Sequence, residues 1–230
     1  MAIKKNLIFC AVRRVLFGVF LTAVSLFPPA GTLDFWQAWA IIILDSTVSA
    51  LWIIYFHKHA PEHIERRLLK KEELTEQKWI RRVGRILWIA ALATAGLDHR
   101  FGWSASFLRP VPLWLECLSF LMLAAAYAFV MEVFKTNEFA ASVIRTESGQ
   151  TVIDTGPYAI VRHPMYFGGS VANVFVPLAL GSFVAWPVSM LAVVPIIFRL
   201  LNEEKFLRQN LAGYTEYCQK TRRRLVPFVW

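Results

Sequence analysis

Between residues 154 and 169 the chain reads Asp-Thr-Gly-Pro-Tyr-Ala-Ile-Val-Arg-His-Pro-Met-Tyr-Phe-Gly-Gly. Gly156-Pro157 and His163-Pro164 punctuate this stretch, because proline fixes its own φ and restricts the residue before it. Tyr158, Arg162, His163 and Tyr166 crowd around the two breakers. A loop of this kind offers a ligand backbone donors, a cation and aromatic faces. The same residue types also describe a helix-entry turn with interfacial tyrosines and an arginine for lipid phosphate. A second group follows at Arg199, Asn202, Glu203 and Glu204. Arg199 and Glu203 are four apart and share a helix face, which as an exposed ion pair is worth only a few tenths of a kcal/mol. As a site, one carboxylate would bind hydroxyls or an ammonium and the guanidinium would orient an anion bidentately.

These groups must be positioned by apolar segments. Of the 230 residues 57% are hydrophobic and 18% charged, and the apolar residues fall in long blocks. The pattern excludes a soluble core and indicates an all-α integral membrane protein. A net charge of +9 might suggest nucleic acid, but the basic residues collect in the loops between apolar blocks, so no nucleic-acid partner is expected. Cys10, Cys117 and Cys218 have neither metal nor disulfide spacing and read as reduced small hydrophobes.

Apolar runs at 15–30, 35–56, 83–97 and 111–134 precede the loop, and runs at 167–180 and 183–201 follow it. The last two are short for full crossings of about 20 residues and should form a tight hairpin at Gly181-Ser182. Five to six transmembrane helices result, with a cytoplasmic loop and a C-terminal helix. The division expected is a four-helix region at 1–134 and a second region at 135–230 that holds the loop, the hairpin and the tail. Basic residues at the start of the first run resemble a signal peptide, but a retained helix fits better. Asp45, in the middle of the second run, is expected to be protonated, or bonded to a neighbouring helix with Ser46 or Thr47 assisting, rather than part of a functional site. Pro61 opens an amphipathic surface helix with Ile64, Leu68 and Leu69 on one face. His57, His59 and His63 are expected to be surface histidines, and no metal site is expected.

Six crossings with both termini cytoplasmic leave only Arg100 and Arg109, of 25 Lys and Arg residues, on the outer side. That orientation places the loop at 135–164, the Arg-His-Pro motif and the glutamate pair on one face.

Gly156-Pro-Tyr-x-x-x-Arg-His-Pro-x-Tyr-x-Gly168, with Asn202-Glu-Glu and Gly213-Tyr-x-x-Tyr217, resembles the isoprenylcysteine carboxyl methyltransferase family. The stretch 164–173 is also similar to membrane phospholipid N-methyltransferases. The resemblance covers 135–230 and implies S-adenosyl-L-methionine as cofactor. It places Gln150, Thr151, Val152, Ile153, Tyr158, His163, Pro164, Met165, Tyr166 and the pair Glu203 and Glu204 against that cofactor. Arg199 falls where the family has an arginine facing the methyl acceptor, and is the expected catalytic residue. The implied activity is methyl transfer to a lipophilic acceptor, a carboxylate such as that of an isoprenylcysteine, with a phospholipid amine as the alternative. Partners would be the bilayer and a lipophilic or lipidated substrate, with oligomeric state left open. A further alternative is an NADPH-dependent sterol-type reductase, for which Lys135, Arg145 and Arg162 are the cations near the loop.

Overall fold

The computed structural model describes residues 2–68, 75–137, 139 and 149–230. Ten α-helices occur among them: α1 Ala2–Ala30, α2 Trp36–His59, α3 Pro61–Leu68, α4 Thr75–Phe101, α5 Leu113–Thr136, α6 Pro157–Ile160, α7 Pro164–Ala179, α8 Ala185–Leu191, α9 Val193–Asn210 and α10 Tyr214–Lys220. No strand occurs among the described residues. Four stretches are long and apolar enough to cross a membrane: Leu7–Ala30, Trp36–His59, Leu113–Thr136 and Ala185–Asn210. The chain is an integral membrane protein, and large side chains such as Phe17, Phe20, Ile54 and Leu121 remain exposed for lipid to cover.

The expected count of five to six spans thus meets four that qualify. The run at 83–97 belongs to α4, which starts earlier, at Thr75. Its opening turns carry Glu76, Lys78, Arg81 and Arg82, so the helix is apolar only in its second half. α7 has 16 residues and is short of a full crossing. It turns at residues 180–184 into α8 and α9, as the hairpin expectation required. The tail is helical only from Tyr214 to Lys220, and beyond it the Leu225 and Val226 amides donate to the Trp230 carbonyl. Leu69, expected on the surface helix, lies outside the described residues.

α5 packs along α7, α1 along α4, and α4 also meets α8 and α9. Gly168 explains the first pairing: a Cβ there would overlap Val130 Cγ2 and lie 3.6 Å from the Ala126 carbonyl. One apolar core joins Leu26, Phe35, Ile41, Leu92, Leu123 and Val176, and another joins Leu7, Ala11, Phe56, Ile64 and Phe134. His63 belongs with the second. It is 1% exposed and stacks on Phe56 at 4.5 Å, which corrects its reading as a surface histidine. Asp45 accepts a hydrogen bond from the Tyr127 hydroxyl of α5 at 2.5 Å, the interhelical partner expected.

Helix ends gather at two poles. At one, the buried Asp98 accepts from the Ser104 amide (2.7 Å) and hydroxyl and from the Ser182 hydroxyl (2.5 Å), and His99 stacks on Phe35 at 4.0 Å. Residues 31–35, 98–104 and 182 therefore meet. The opposite pole holds the motif residues.

Candidate active site

Gly156 begins the site with φ +56°, a left-handed value that suits glycine, and a Cβ there would lie 3.2 Å from the Thr136 hydroxyl. Pro157 then starts α6, a single turn that delivers Tyr158. The backbone next runs extended, and the Arg162 and His163 amides donate to the Arg223 and Arg224 carbonyls at 2.9 Å each. Pro164 restarts the helix as the first residue of α7 and sets Met165 and Tyr166 in its opening turn. The two breakers thus clamp a short segment between α5 and the C-terminal tail.

Beneath that segment Arg162 is spent on structure. Its Nε donates to Glu204 Oε1 at 2.6 Å, and its Nη1 donates to the Thr221 and Arg222 carbonyls at 2.9 and 3.0 Å. Arg224 Nε donates to the other Glu204 oxygen at 3.1 Å. The Arg162 and Glu204 side chains are 4% and 5% exposed, so this is a buried, multiply bonded ion pair. Such a pair is destabilising to break, because one charge is then left buried alone.

Glu203, one residue earlier and about 100° around the helix, faces the other way. Tyr166 donates its hydroxyl proton to Glu203 Oε2 at 2.6 Å and accepts from Arg199 Nε at 2.9 Å. Arg199 Nη1 donates to the Oε1 of Gln77, a buried residue of α4, at 3.1 Å. Tyr158 accepts from Asn137 Nδ2 at 3.0 Å, and burial pushes its phenol up to about 12, so it stays neutral at physiological pH. The His163 ring lies nearly parallel to Tyr166 with centroids 5.7 Å apart.

A cavity opens among these groups, lined by Gln150, Thr151, Val152, Ile153, Tyr158, His163, Pro164, Met165, Tyr166 and Glu203. Ten residues singled out in the sequence therefore share one space. Glu204 does not line it. Arg199 does not line it either; it reaches the wall through Tyr166. Asn137, Phe139, Arg162, Leu207, Leu211, Tyr214 and Tyr217 complete the lining. The two tyrosines stood in the C-terminal Gly-Tyr-x-x-Tyr, three apart and so on one helix face, whereas nothing in the sequence marked Asn137 or the supporting Gln77. Arg145 lies outside the described residues.

Two atoms at the cavity point to a ligand. His163 Nε2 and the Tyr214 hydroxyl are buried and make no hydrogen bond. His163 Nε2 is 3.4 Å from Glu204 Oε1 but is not aligned for a bond. Native interiors rarely leave such groups unsatisfied. With a carboxylate, several phenols and the extended edge 150–153, the set suits a polar ligand with hydroxyl, amine and ring portions. The space is about 100 Å³, below the roughly 300–1,000 Å³ of small-molecule pockets, so its walls must part to admit such a ligand.

Residues 114–213 match the family model described as phospholipid methyltransferase. The resemblance read from the motif is shown by this match to membrane methyltransferases. The matched methyltransferase segment runs from α5 to the start of the Gly-Tyr-x-x-Tyr and contains every cavity residue except Tyr214 and Tyr217. No curated protein matches the chain significantly. Among solved structures, the eukaryotic intramembrane Ras methyltransferase ICMT (isoprenylcysteine carboxyl methyltransferase) is similar at 14% identity and a TM-score of 0.45. That match covers 100% of this chain and 87% of that one.

Proposed function

We propose that the protein is a membrane methyltransferase that uses S-adenosyl-L-methionine and acts on a lipophilic acceptor. The observation that carries this reading is the convergence of three separate segments on one cavity bordered by the buried, unbonded Tyr214 hydroxyl. When bound, the cofactor supplies a sulfonium methyl group for in-line displacement. The chain's part is then binding and alignment, which can supply several kcal/mol of the barrier. Glu203 is the carboxylate in reach for ribose hydroxyls or the cofactor's ammonium. His163 Nε2 and the Tyr214 hydroxyl take polar atoms of the ligand, and the tyrosine faces suit a cationic sulfur. Arg199 holds the Tyr166 phenol so that its proton points at Glu203, and stands on the acceptor side of that ring.

A carboxylate acceptor needs no general base, and the cations on this pole favour an anionic head, as in an isoprenylcysteine. A phospholipid amine is the second reading, supported by the description of the matching family. A reductase finds less support in the geometry. Arg162 is spent on Glu204 and two carbonyls, and Lys135 lies 3.6 Å from Glu132 and over the Tyr55 ring. Heat stabilisation of the purified protein separates the classes. A ligand at a hundred times its Kd adds about 2.7 kcal/mol to stability. S-adenosylhomocysteine should raise Tm and NADPH should leave it unchanged; the reverse pattern would replace this reading with the reductase.

A further inference from the structure

A second space lies within the membrane-spanning part, between α1, α2 and α5. It is a chamber of about 580 Å³, in the size range of small-molecule sites. Its walls are mostly apolar, with polar groups at two depths. Near the pole that holds the active site, Arg14 of α1 and Arg67 of α3 line it. Arg14 Nη1 donates to the Arg67 carbonyl at 3.2 Å, and the Arg67 guanidinium sits 4.2 Å from the Phe134 ring centre. Arg67 Nη1 also reaches the Met165 sulfur at 3.7 Å. Met165 lines the cofactor cavity, so the Arg67–Met165 contact is a wall common to both spaces.

Farther in, Asp45 of α2 and Tyr127 of α5 meet across the chamber wall. Tyr127 occupies Oδ1 of the carboxyl, and among the described residues Oδ2 makes no hydrogen bond. A carboxyl in a spanning helix is costly, and one that serves only to join helices would be packed against them. This one borders open space. Seven residues separate Asp45 from Trp52 along α2 and eight separate Arg14 from Thr22 along α1, all four lining the chamber. At 1.5 Å per residue the two polar levels are roughly 10–12 Å apart.

We propose that the chamber takes the chain of the acceptor lipid, and that Asp45 and Tyr127 select a hydroxyl or amide N–H on that chain, roughly 10–12 Å from an anionic head at Arg14 and Arg67. The apolar walls suit hydrocarbon, the sign of charge at the mouth sets the head, and Asp45 supplies the acceptor for a chain donor. That the head is then methylated rests on the methyltransferase reading; occupancy of the chamber does not.

The test measures equilibrium binding of stearate and of a hydroxystearate with a mid-chain hydroxyl to the full chain in zwitterionic nanodiscs. Wild type should bind the hydroxystearate at least fivefold more tightly. Asp45→Asn and Tyr127→Phe should bring that ratio within twofold of unity while stearate affinity holds. A wild-type ratio near one, or a ratio kept in both variants, would overturn the proposal and leave the pair as an interhelical clasp. Gly18→Leu is the control that does not touch the pair. A Cβ at Gly18 meets nothing within 4 Å, so a larger side chain can enter the chamber and narrow it. It should weaken binding of both lipids alike, and unchanged affinity for both would also overturn the proposal. S-adenosylhomocysteine binding measured in parallel keeps the two readings apart: its failure in wild type removes the methyltransferase function, and the lipid ratio still decides the chamber.

Discussion

Glu203 and Glu204 are chemically identical neighbours placed in opposite roles by the 100° step between consecutive helix residues. Glu203→Gln should weaken S-adenosylhomocysteine binding about tenfold, roughly 1.4 kcal/mol, with little change in Tm. Glu204→Ala should instead cost about 3–5 kcal/mol of stability by stranding the buried Arg162 charge. Paired binding and thermal melts check both, and equal effects on binding would contradict the division. The pair itself was legible in the sequence, because two acids at the end of an apolar run stand out. Which of them faces the cavity was not, since that depends on helix rotation set by packing. Arg199 shows the same limit. Its helix face was readable from spacing, but its bonds to Tyr166 and to Gln77, 122 residues earlier, were not. Arg199→Lys should lower turnover about tenfold, roughly 1.5 kcal/mol, because an ammonium cannot reach both partners as the planar fork does. Cofactor affinity should change by a smaller factor. Full turnover in the lysine variant would show that charge alone suffices.

At the scale of elements, the α5–α7 contact fixes the position of the motif loop against α5. Gly168 permits that contact, with Val130 directly opposite. Gly168→Ala should cost about 1–3 kcal/mol through overpacking. Val130→Ala in the same chain should recover part of it, which a thermal-melt double-mutant cycle measures. Additive losses would show that the two positions are not in contact. The sequence marked this pairing only in part: of the small residues Ala124, Ala125 and Ala126, Ala126 alone is buried. Elements that begin at proline were legible, as with α3 at Pro61 and α7 at Pro164, because a ring at the first helical position needs no partner. The start of α4 was not. Its charged opening turns read as loop, yet tertiary contacts with α9 hold them helical and bring Gln77 to the site.

Across the whole molecule, the two poles separate the active site from the Asp98–Ser104–Ser182 cluster, as alternating crossings would. We propose from the distribution of basic residues that the active-site pole is cytoplasmic. In a cysteine-free background, labels at Glu65→Cys and Glu216→Cys should react from the cytoplasmic side and a label at Arg109→Cys from the other, all three positions being exposed. Reaction of Arg109→Cys and Glu216→Cys from the same face would overturn the topology. Charge bias is what motivates this orientation, and the labels test it. The chamber was not readable, because it arises from three helices that touch loosely along one side. The most direct measurement is ultraviolet cross-linking of radiolabelled S-adenosylmethionine to the full chain in membranes, followed by peptide mapping. Label should fall in peptides holding 150–166 and 203–217 and be displaced by S-adenosylhomocysteine and not by NADPH. Label confined to α1, α2 or the tail beyond Lys220, or absent altogether, would contradict the cofactor site.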